Sequence, residues 1–511
     1  MAKKTTPSFI LELPLKVSPQ DERELDVRLN AARQLYNACL GEALRRLALA
    51  YQSRLWTRAR KATDKKDRAK AFRWARQAVE FDEYALHRFV VQTKNACWIG
   101  DHLDVHVCQK IATRAFQAVD SYAFGKRGKP RFKSVGRLRS VEGKNNEAGI
   151  RWREGVVVWG GLKLPALLDP KDRHGWQRQS LERRVKYVRL VRKPLRGRQR
   201  WYAQLVLEGP SPHKAKNVIG QGVVGLDIGP SSIAAVGETE AFLAAFCAEV
   251  EEIWESKRRI QRLLDRSRRK TNPDLFERNG TVKPGRHRWN KSQRYVRLRA
   301  ELAEQERKLA AARKRSQGEL ANRILVLGKD IKTEKLSYRA FQRLWGKAVG
   351  SRAPGMFMVM LRRKAESAGG RVQEFSTRTT RLSQACHCGT TTKKALSERW
   401  HRCACGVGPV QRDLYSAFLA RHVNNEQLDT SRAATAWASA ESLLGCAVSR
   451  AHQHAKGRHR LASFGFGQRQ SVSHIKGGLD NQAVFAKAGD VVGAAPAAAE
   501  SSGEANRLSL H

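Results

Sequence analysis

Two short cysteine repeats constrain this chain more than any other feature. Cys386-His-Cys388-Gly and Cys403-Ala-Cys405-Gly share one pattern, with fourteen residues between Cys388 and Cys403. Two close pairs of thiolates can surround one tetrahedral zinc ion, and the glycine after each pair lets the loop fold around the metal. Residues 383–412 are therefore expected to form a zinc ribbon, with one structural Zn²⁺ held by Cys386, Cys388, Cys403 and Cys405. A zinc knuckle ordinarily has two or more residues between its cysteines, and here there is one. His387 and His401 accordingly stand as alternative ligands. The other cysteines (Cys39, Cys97, Cys108, Cys247, Cys446) are scattered and read as inert core residues. Nine thiols, an odd number, argue against a secreted disulfide framework and for a reducing cytoplasm.

Charge narrows the partners. Lys plus Arg number 97 and Asp plus Glu 48, a formal net charge of +49. A compact body that basic repels itself unless a polyanion neutralises it. This excludes an ordinary acidic or neutral metabolic enzyme and favours a protein that carries nucleic acid in its working form. No apolar run approaches the roughly 18 residues that span a bilayer. Glu12 interrupts the first apolar segment, so no signal peptide is expected. The charge runs along most of the chain instead of along one amphipathic helix, so no membrane partner is expected.

Apolar periodicity gives the expected elements. Residues 8–17 alternate as a half-buried strand does. Ser18-Pro19-Gln20-Asp21 reads as a helix start, followed by Leu25, Leu29, Ala32, Tyr36, Leu40, Ala43 and Leu47 at helical spacing. The basic stretch from Arg58 to Arg76 is expected to continue as helix, and another helix is expected over 101–124. After a Gly- and Lys-rich loop at 125–133, β-like segments at 156–159, 185–191 and 201–207 suggest a small β-barrel or sheet. Residues 223–227 read as a buried strand ending in Asp227. Two charged helical patterns at 250–270 and 290–322 suggest an inserted helical hairpin. Strands are expected at 324–327, 331–334 and 371–375, and helices over 357–370 and from about Asp413. Beyond 428 the composition turns to Ala, Ser, Gly and His, and disorder is expected, above all at 481–511.

Asp227, Glu334 and Asp413 each have a bland reading as turn former, exposed strand residue or helix-start acid. Together, at element ends beside a zinc ribbon in so basic a chain, they point elsewhere. Converging carboxylates can hold two Mg²⁺ ions for phosphodiester hydrolysis.

Gly225-Leu-Asp227-Ile-Gly229, the Glu334-Lys-Leu segment, and the cysteine repeats followed by Gln411-Arg-Asp413-Leu-Tyr-Ser-Ala resemble the split RuvC nuclease of TnpB proteins. They also resemble the compact type V CRISPR effectors derived from TnpB. Leu35-Tyr-Asn37, Lys129-Pro-Arg-Phe-Lys-Ser134 and residues 197–209 look like that family's recognition and wedge regions. Ser337-Tyr-Arg-Ala-Phe-Gln, Ala353-Pro-Gly-Met-Phe and the chain length of 511 look more like the CRISPR branch. The matches cover most of residues 8–422.

The resemblance implies a bilobed α+β multidomain chain. Its parts would be a first wedge strand (1–19), a helical recognition domain (20–125), a β-barrel wedge domain (126–215), a RuvC domain of RNase H-like α/β fold (216–428, helical insert 250–322) and a disordered tail (429–511). It implies Asp227, Glu334 and Asp413 as catalytic, Mg²⁺-binding acids. Asp330, on the same strand face as Glu334, is the alternative to it. Implied partners are a guide RNA and double-stranded DNA with a flanking motif, read by a monomer or homodimer per guide in prokaryotic cytoplasm. Nucleic-acid contacts are expected at Tyr36, Asn37, Gln109, Lys110, Lys129, Arg131, Lys133 and Arg412. Lys393, Lys394, Arg399 and Arg402 suit a ribbon touching nucleic acid. The competing readings are a transposon-encoded homing nuclease with the same chemistry and a guided repressor that does not cut.

Overall fold

Residues 6–454, apart from 196, 213–216 and 396, together with 464–466, are described by the computed structural model. The first strand, β1 (Ser8–Pro14), alternates buried Leu11 and Leu13 with more exposed neighbours. Ser18 then caps α1 (Pro19–Gln52) in a reciprocal box. Its hydroxyl accepts from the Asp21 N–H at 3.1 Å, and the Asp21 carboxylate accepts from the Ser18 N–H at 3.1 Å. The basic stretch expected as continuous helix is broken into α2 (Arg54–Lys61) and α3 (Lys65–Gln77). Asp64 breaks it: its carboxylate accepts from the N–H groups of Lys66 and Asp67 and starts α3 afresh. Helices α4 (Glu83–Asn95), α5 (Ile99–His102) and α6 (Val105–Ala123) complete this region.

Short strands β2 (Ser140–Glu142), β3 (Arg151–Arg153), β4 (Val156–Trp159) and β5 (Leu162–Pro165) follow. After α7 (Trp176–Leu181) comes a long hairpin of β6 (Val185–Leu195) and β7 (Arg198–Glu208). One antiparallel sheet has the order β1-β7-β6-β2 and another the order β3-β4-β5. The expected β-barrel is corrected to these two open sheets, which meet at a single Leu15–Ala166 bridge. Helices bury the apolar face that a barrel would close upon itself. Leu35, Leu40, Val107 and Ile111 share one core with Trp159, Leu190 and Leu205.

The second half is built on a five-stranded sheet of order β10-β9-β8-β11-β12. Strands β8 (Val223–Ile228), β9 (Ser232–Val236) and β10 (Ala241–Ala245) form an antiparallel meander. The hairpin of α8 (Val250–Thr271) and α9 (Gln293–Leu327) is then inserted. Strand β11 (Asp330–Glu334) pairs parallel to β8. Helices α10 (Tyr338–Arg352) and α11 (Pro354–Ser367) lead to β12 (Arg371–Phe375), parallel to β11. Residues 324–327, expected as strand, are the end of α9, where Ile324 and Leu325 are buried and Val326 is exposed. An apolar run of four has no periodicity to tell helix from strand.

After α12 (Thr377–Thr380), the strands β13 (Trp400–His401) and β14 (Val410–Gln411) pair within the cysteine segment. Helix α13 (Arg412–Arg421) and the small hairpin of β15 (Val423–Asn424) and β16 (Gln427–Leu428) follow. The expected tail from 429 is corrected at its start, because Thr430–His454 forms α14. Ala433, Ala440, Leu444, Ala447 and Ala451 bury one stripe of it against the sheet and α13. Alanine, read as a mark of disorder, is the best helix former. Residues 481–511 lie outside the described residues. Val224, Leu226 and Ile228 face α9 and α11, and the alternate residues of β8 face α13. Among the described residues no helix is long and apolar enough to cross a membrane.

One side chain joins α1 to the three-stranded sheet. Arg28, 7% exposed, donates to the carbonyls of Trp159 at 2.6 Å and Gly160 at 2.7 Å, and its guanidinium lies 4.7 Å from the Trp159 ring centre. Arg28→Ala strands buried carbonyls and should lower stability by about 2–4 kcal/mol. Arg45→Ala removes a 61% exposed cation from Glu42, which keeps its pair with Arg46, and should cost less than about 1 kcal/mol. Urea unfolding of the two variants side by side checks the contrast.

Candidate functional site

The three acids meet because of strand register. β11 sets Thr333 opposite Leu226 of β8, so Glu334 and Asp227 follow as the next residue of each parallel strand. Both stand at carboxyl ends, the place where open α/β sheets bind ligands. Asp227 shares a face of β8 with Gly225, two residues before it. A Cβ on Gly225 would lie 1.8 Å from the carbonyl oxygen of Ala417, so α13 rests directly on the strand backbone. That seat brings Asp413, in the first turn of α13 and 7% exposed, to the side of Asp227. At the far end of α13, the Lys332 ammonium donates to the carbonyls of Arg421 at 3.2 Å and Val423 at 2.6 Å.

Each acid is held. Ser232, the first residue of β9, donates to Asp413 Oδ2 at 3.1 Å. Glu334 Oε1 accepts from the Thr380 hydroxyl at 3.0 Å and the Leu382 N–H at 3.2 Å. Two guanidiniums approach Asp413 Oδ1, Arg412 at 3.7 Å and Arg399 at 4.0 Å. Burial pushes Asp227 well above the usual carboxylate range. The negative charges of Asp413 and Glu334 push the same way, against Arg412 and Arg399. Burial also raises Glu334, opposed by its two hydrogen bonds. Such a cluster suits divalent cations, which would offset the repulsion. Asp330, the alternative to Glu334, sits at the other end of β11 and lies 3.7 Å from Arg371.

The cysteine segment repeats one turn twice. Cys386 N–H donates to Thr390 and Gly389 N–H back to Cys386, and Cys403 with Val407 and Gly406 does the same. Gly389 (φ 89°) and Gly406 (φ 94°) take left-handed conformations that a side chain would strain. Sγ of Cys386 lies 3.6 Å from that of Cys405, and Cys388 the same distance from Cys403. A tetrahedral zinc with bonds of about 2.3 Å sets its sulfurs about 3.8 Å apart. All four sulfurs lie within 4.8 Å of one another, compatible with zinc. Among the described residues no other group of three or more His, Cys, Asp or Glu side chains gathers so closely.

Neither histidine joins the thiols. His387 Nδ1 is 3.0 Å from the Tyr415 hydroxyl, and His401 stacks on the Tyr415 ring at 4.4 Å. Tyr415, two residues after Asp413, thereby ties α13 to the cysteine segment. Of the scattered cysteines, Cys39, Cys108 and Cys247 are buried as expected, whereas Cys97 and Cys446 are exposed.

The expected nucleic-acid contacts divide. Tyr36, expected to contact nucleic acid, is 4% exposed, with the Lys133 ammonium 5.8 Å from its ring centre. Asn37 clips α1 to the Gly- and Lys-rich loop, accepting from the Lys133 N–H at 2.8 Å and donating to its carbonyl at 2.9 Å. Gln109 accepts from Lys144, and Lys110 lies 3.9 Å from Glu142, so both face the edge of β2. Lys129 and Arg131 are exposed and Lys133 is half-buried. Arg412 lies within the acid cluster, as does Arg399, which the sequence assigned only to nucleic acid. Ser232 and Thr380 were missed altogether. The one signal available for Ser232 was its place just after the Gly229-Pro230 turn.

No family model and no curated protein matches the chain. Among solved structures it is similar to a Cas12f1–sgRNA–target DNA complex determined by cryo-EM, at 11% identity and a TM-score of 0.44. That match covers 81% of this chain and 98% of the other. It is also similar to a CRISPR-Cas12f ternary complex, at 11% identity and a TM-score of 0.28, covering 80% and 82%.

The seat of α13 is open to test. Gly225→Ala forces a methyl onto a backbone oxygen and should destabilise the fold by about 1–3 kcal/mol or more. Gly445→Ala, in the interior of α14 with no atom within 4 Å of the added methyl, should instead stabilise by about 0.5–1 kcal/mol. Thermal unfolding of the two variants should shift in opposite directions.

Proposed function

We propose that the chain is an RNA-guided DNA endonuclease. It would carry a guide RNA, read a short flanking motif on duplex DNA, open an R-loop and cut DNA at one RuvC-type site. The observation that carries this reading is the meeting of Asp227, Glu334 and Asp413 at the carboxyl ends of two parallel strands and the start of α13, in a chain of net charge +49. A meander of three strands extended by two parallel ones is also what an RNase H-like nuclease needs to bring such acids together.

Asp227, Glu334 and Asp413 would hold two Mg²⁺ ions, which supply an activated water and stabilise the leaving oxygen. The chain's own groups do the rest. Thr380 and the Leu382 N–H fix Glu334, and Ser232 fixes Asp413, so these two carboxylates are oriented before substrate arrives. Arg399 and Arg412 offset repulsion among the acids and can turn toward a scissile phosphate. The four thiolates would hold one structural zinc, keeping the strand that delivers Arg399 against α13. Lys129, Arg131 and Lys133 would contact phosphates without reading sequence. In this reading residues 20–125 serve recognition, β1 with 126–215 forms the wedge, and 216–454 forms the nuclease domain.

With matched duplex, guide and Mg²⁺, Asp227→Ala should lose cleavage by about three orders of magnitude, the worth of several kcal/mol of metal binding, and keep guided DNA binding. Asp330→Asn should leave the rate within about twofold, as a surface change does. A gel separating cut from shifted DNA reads both, and full cutting by the Asp227 variant would overturn the assignment. Metal analysis should find about one zinc per chain, lost in Cys403→Ser. A stably folded parent free of zinc would remove the ribbon.

A further inference from the structure

The helices α2 and α3 carry a charge that the acid site does not use. Residues 54–77 hold ten Lys or Arg and two Asp. With the end of α6 they enclose a cleft of about 820 Å³. Its floor is aromatic. Phe72 packs edge-on against Trp56 at 4.8 Å and against Phe124 at 5.5 Å, and Phe124 is 39% exposed. Its rim is cationic, formed by Arg60, Lys65, Arg68 and Arg73, all exposed and none in an ion pair among the described residues. Arg76 behind them is already engaged by Asp120 at 3.1 Å. The one carboxylate lining the cleft, Asp82, caps α4 by accepting from the Ala85 N–H.

An aromatic floor within a guanidinium and ammonium rim is the chemistry that binds an unstacked base between phosphates. Duplex DNA keeps its bases stacked, and bringing one onto this floor would cost unpairing of a few kcal/mol. RNA loops and single strands present their bases already splayed. We propose that this cleft holds an unpaired nucleotide of single-stranded RNA, its base against Phe124 and Phe72 and its flanking phosphates on Arg60, Lys65, Arg68 and Arg73. This rests on the reading above of a chain that carries RNA, and it names a place where that RNA is gripped.

The test uses the full chain purified with its own RNA. Short-wave ultraviolet irradiation followed by peptide mapping should find nucleotide adducts on the segments carrying Phe72 or Phe124, and Phe124→Leu should remove the adduct at its own position. With the chain stripped of RNA, Phe124→Leu should weaken binding of a short oligouridine by about 5- to 100-fold and leave the salt slope unchanged. The triple variant Arg60→Gln, Lys65→Gln, Arg73→Gln should flatten that slope by about two, for three single-strand phosphates. A hairpin RNA with no unpaired nucleotide beyond a tight loop should respond to the triple variant only. If Phe124→Leu binds and cross-links as the parent does, or weakens the hairpin as much as the oligouridine, the cleft reading is overturned. A chain that cuts guided DNA while failing this test loses the cleft alone. One that passes it but never cuts loses the nuclease reading alone.

Discussion

The close seat of α13 on β8 governs the second half of the molecule. A helix cannot normally approach a strand to backbone contact, because a Cβ stands between them. Gly225 removes that atom, and the Ala417 carbonyl occupies the space where it would have been. Three consequences follow from one missing side chain. Asp413 in the first turn reaches the level of Asp227, Tyr415 two residues on reaches the cysteine segment, and the last turn is close enough for Lys332 to cap it. The acid cluster, the cysteine segment and the sheet are thus coupled through the ten residues of α13.

That coupling works against electrostatics. Three carboxylates brought together out of water repel one another, and burial penalises each charge besides. The fold offsets part of this with Arg399 and Arg412 at Asp413, and with the hydroxyls of Ser232 and Thr380. The remaining excess is what a cation site requires, since a cluster fully neutralised by its own neighbours would have no affinity left for metal. Strain held at a site by a surrounding structure that over-determines it is the common price of function.

How much of this was legible in the sequence depended on whether the signal was local. The capping box at Ser18, the four cysteines and the strand ending in Asp227 are local patterns, and the structure contains each. The choice between Asp330 and Glu334 was not local, because both side chains share a face of β11. Pairing with β8 separates them, leaving Asp330 level with Val223 and carrying Glu334 on to the level of Asp227. The open sheets replacing a barrel depend on α1 and α6 covering a face that strand patterns alone do not show covered. The helical stripe that includes Tyr36 does not by itself reveal which partner buries it. Asp64 was the overlooked local signal, an acid at the start of a basic run that divides one helix into two.

The net charge is distributed to match the two halves. In the sheet domain the acids gather where two guanidiniums already meet them, so opposite charges are concentrated at one point. Around α2 and α3 the reverse holds, with ten cations against two acids and a rim left unpaired. Helix propensity and one aromatic cluster hold those helices, and mutual repulsion along their exposed faces weakens them. A polyanion lying there would remove the repulsion and add contacts in the same step, stabilising the helices by mass action as any ligand of the folded state does. On this argument a bound polyanion would help hold α2 and α3 in shape, and the net charge of +49 is an excess that such a partner would offset.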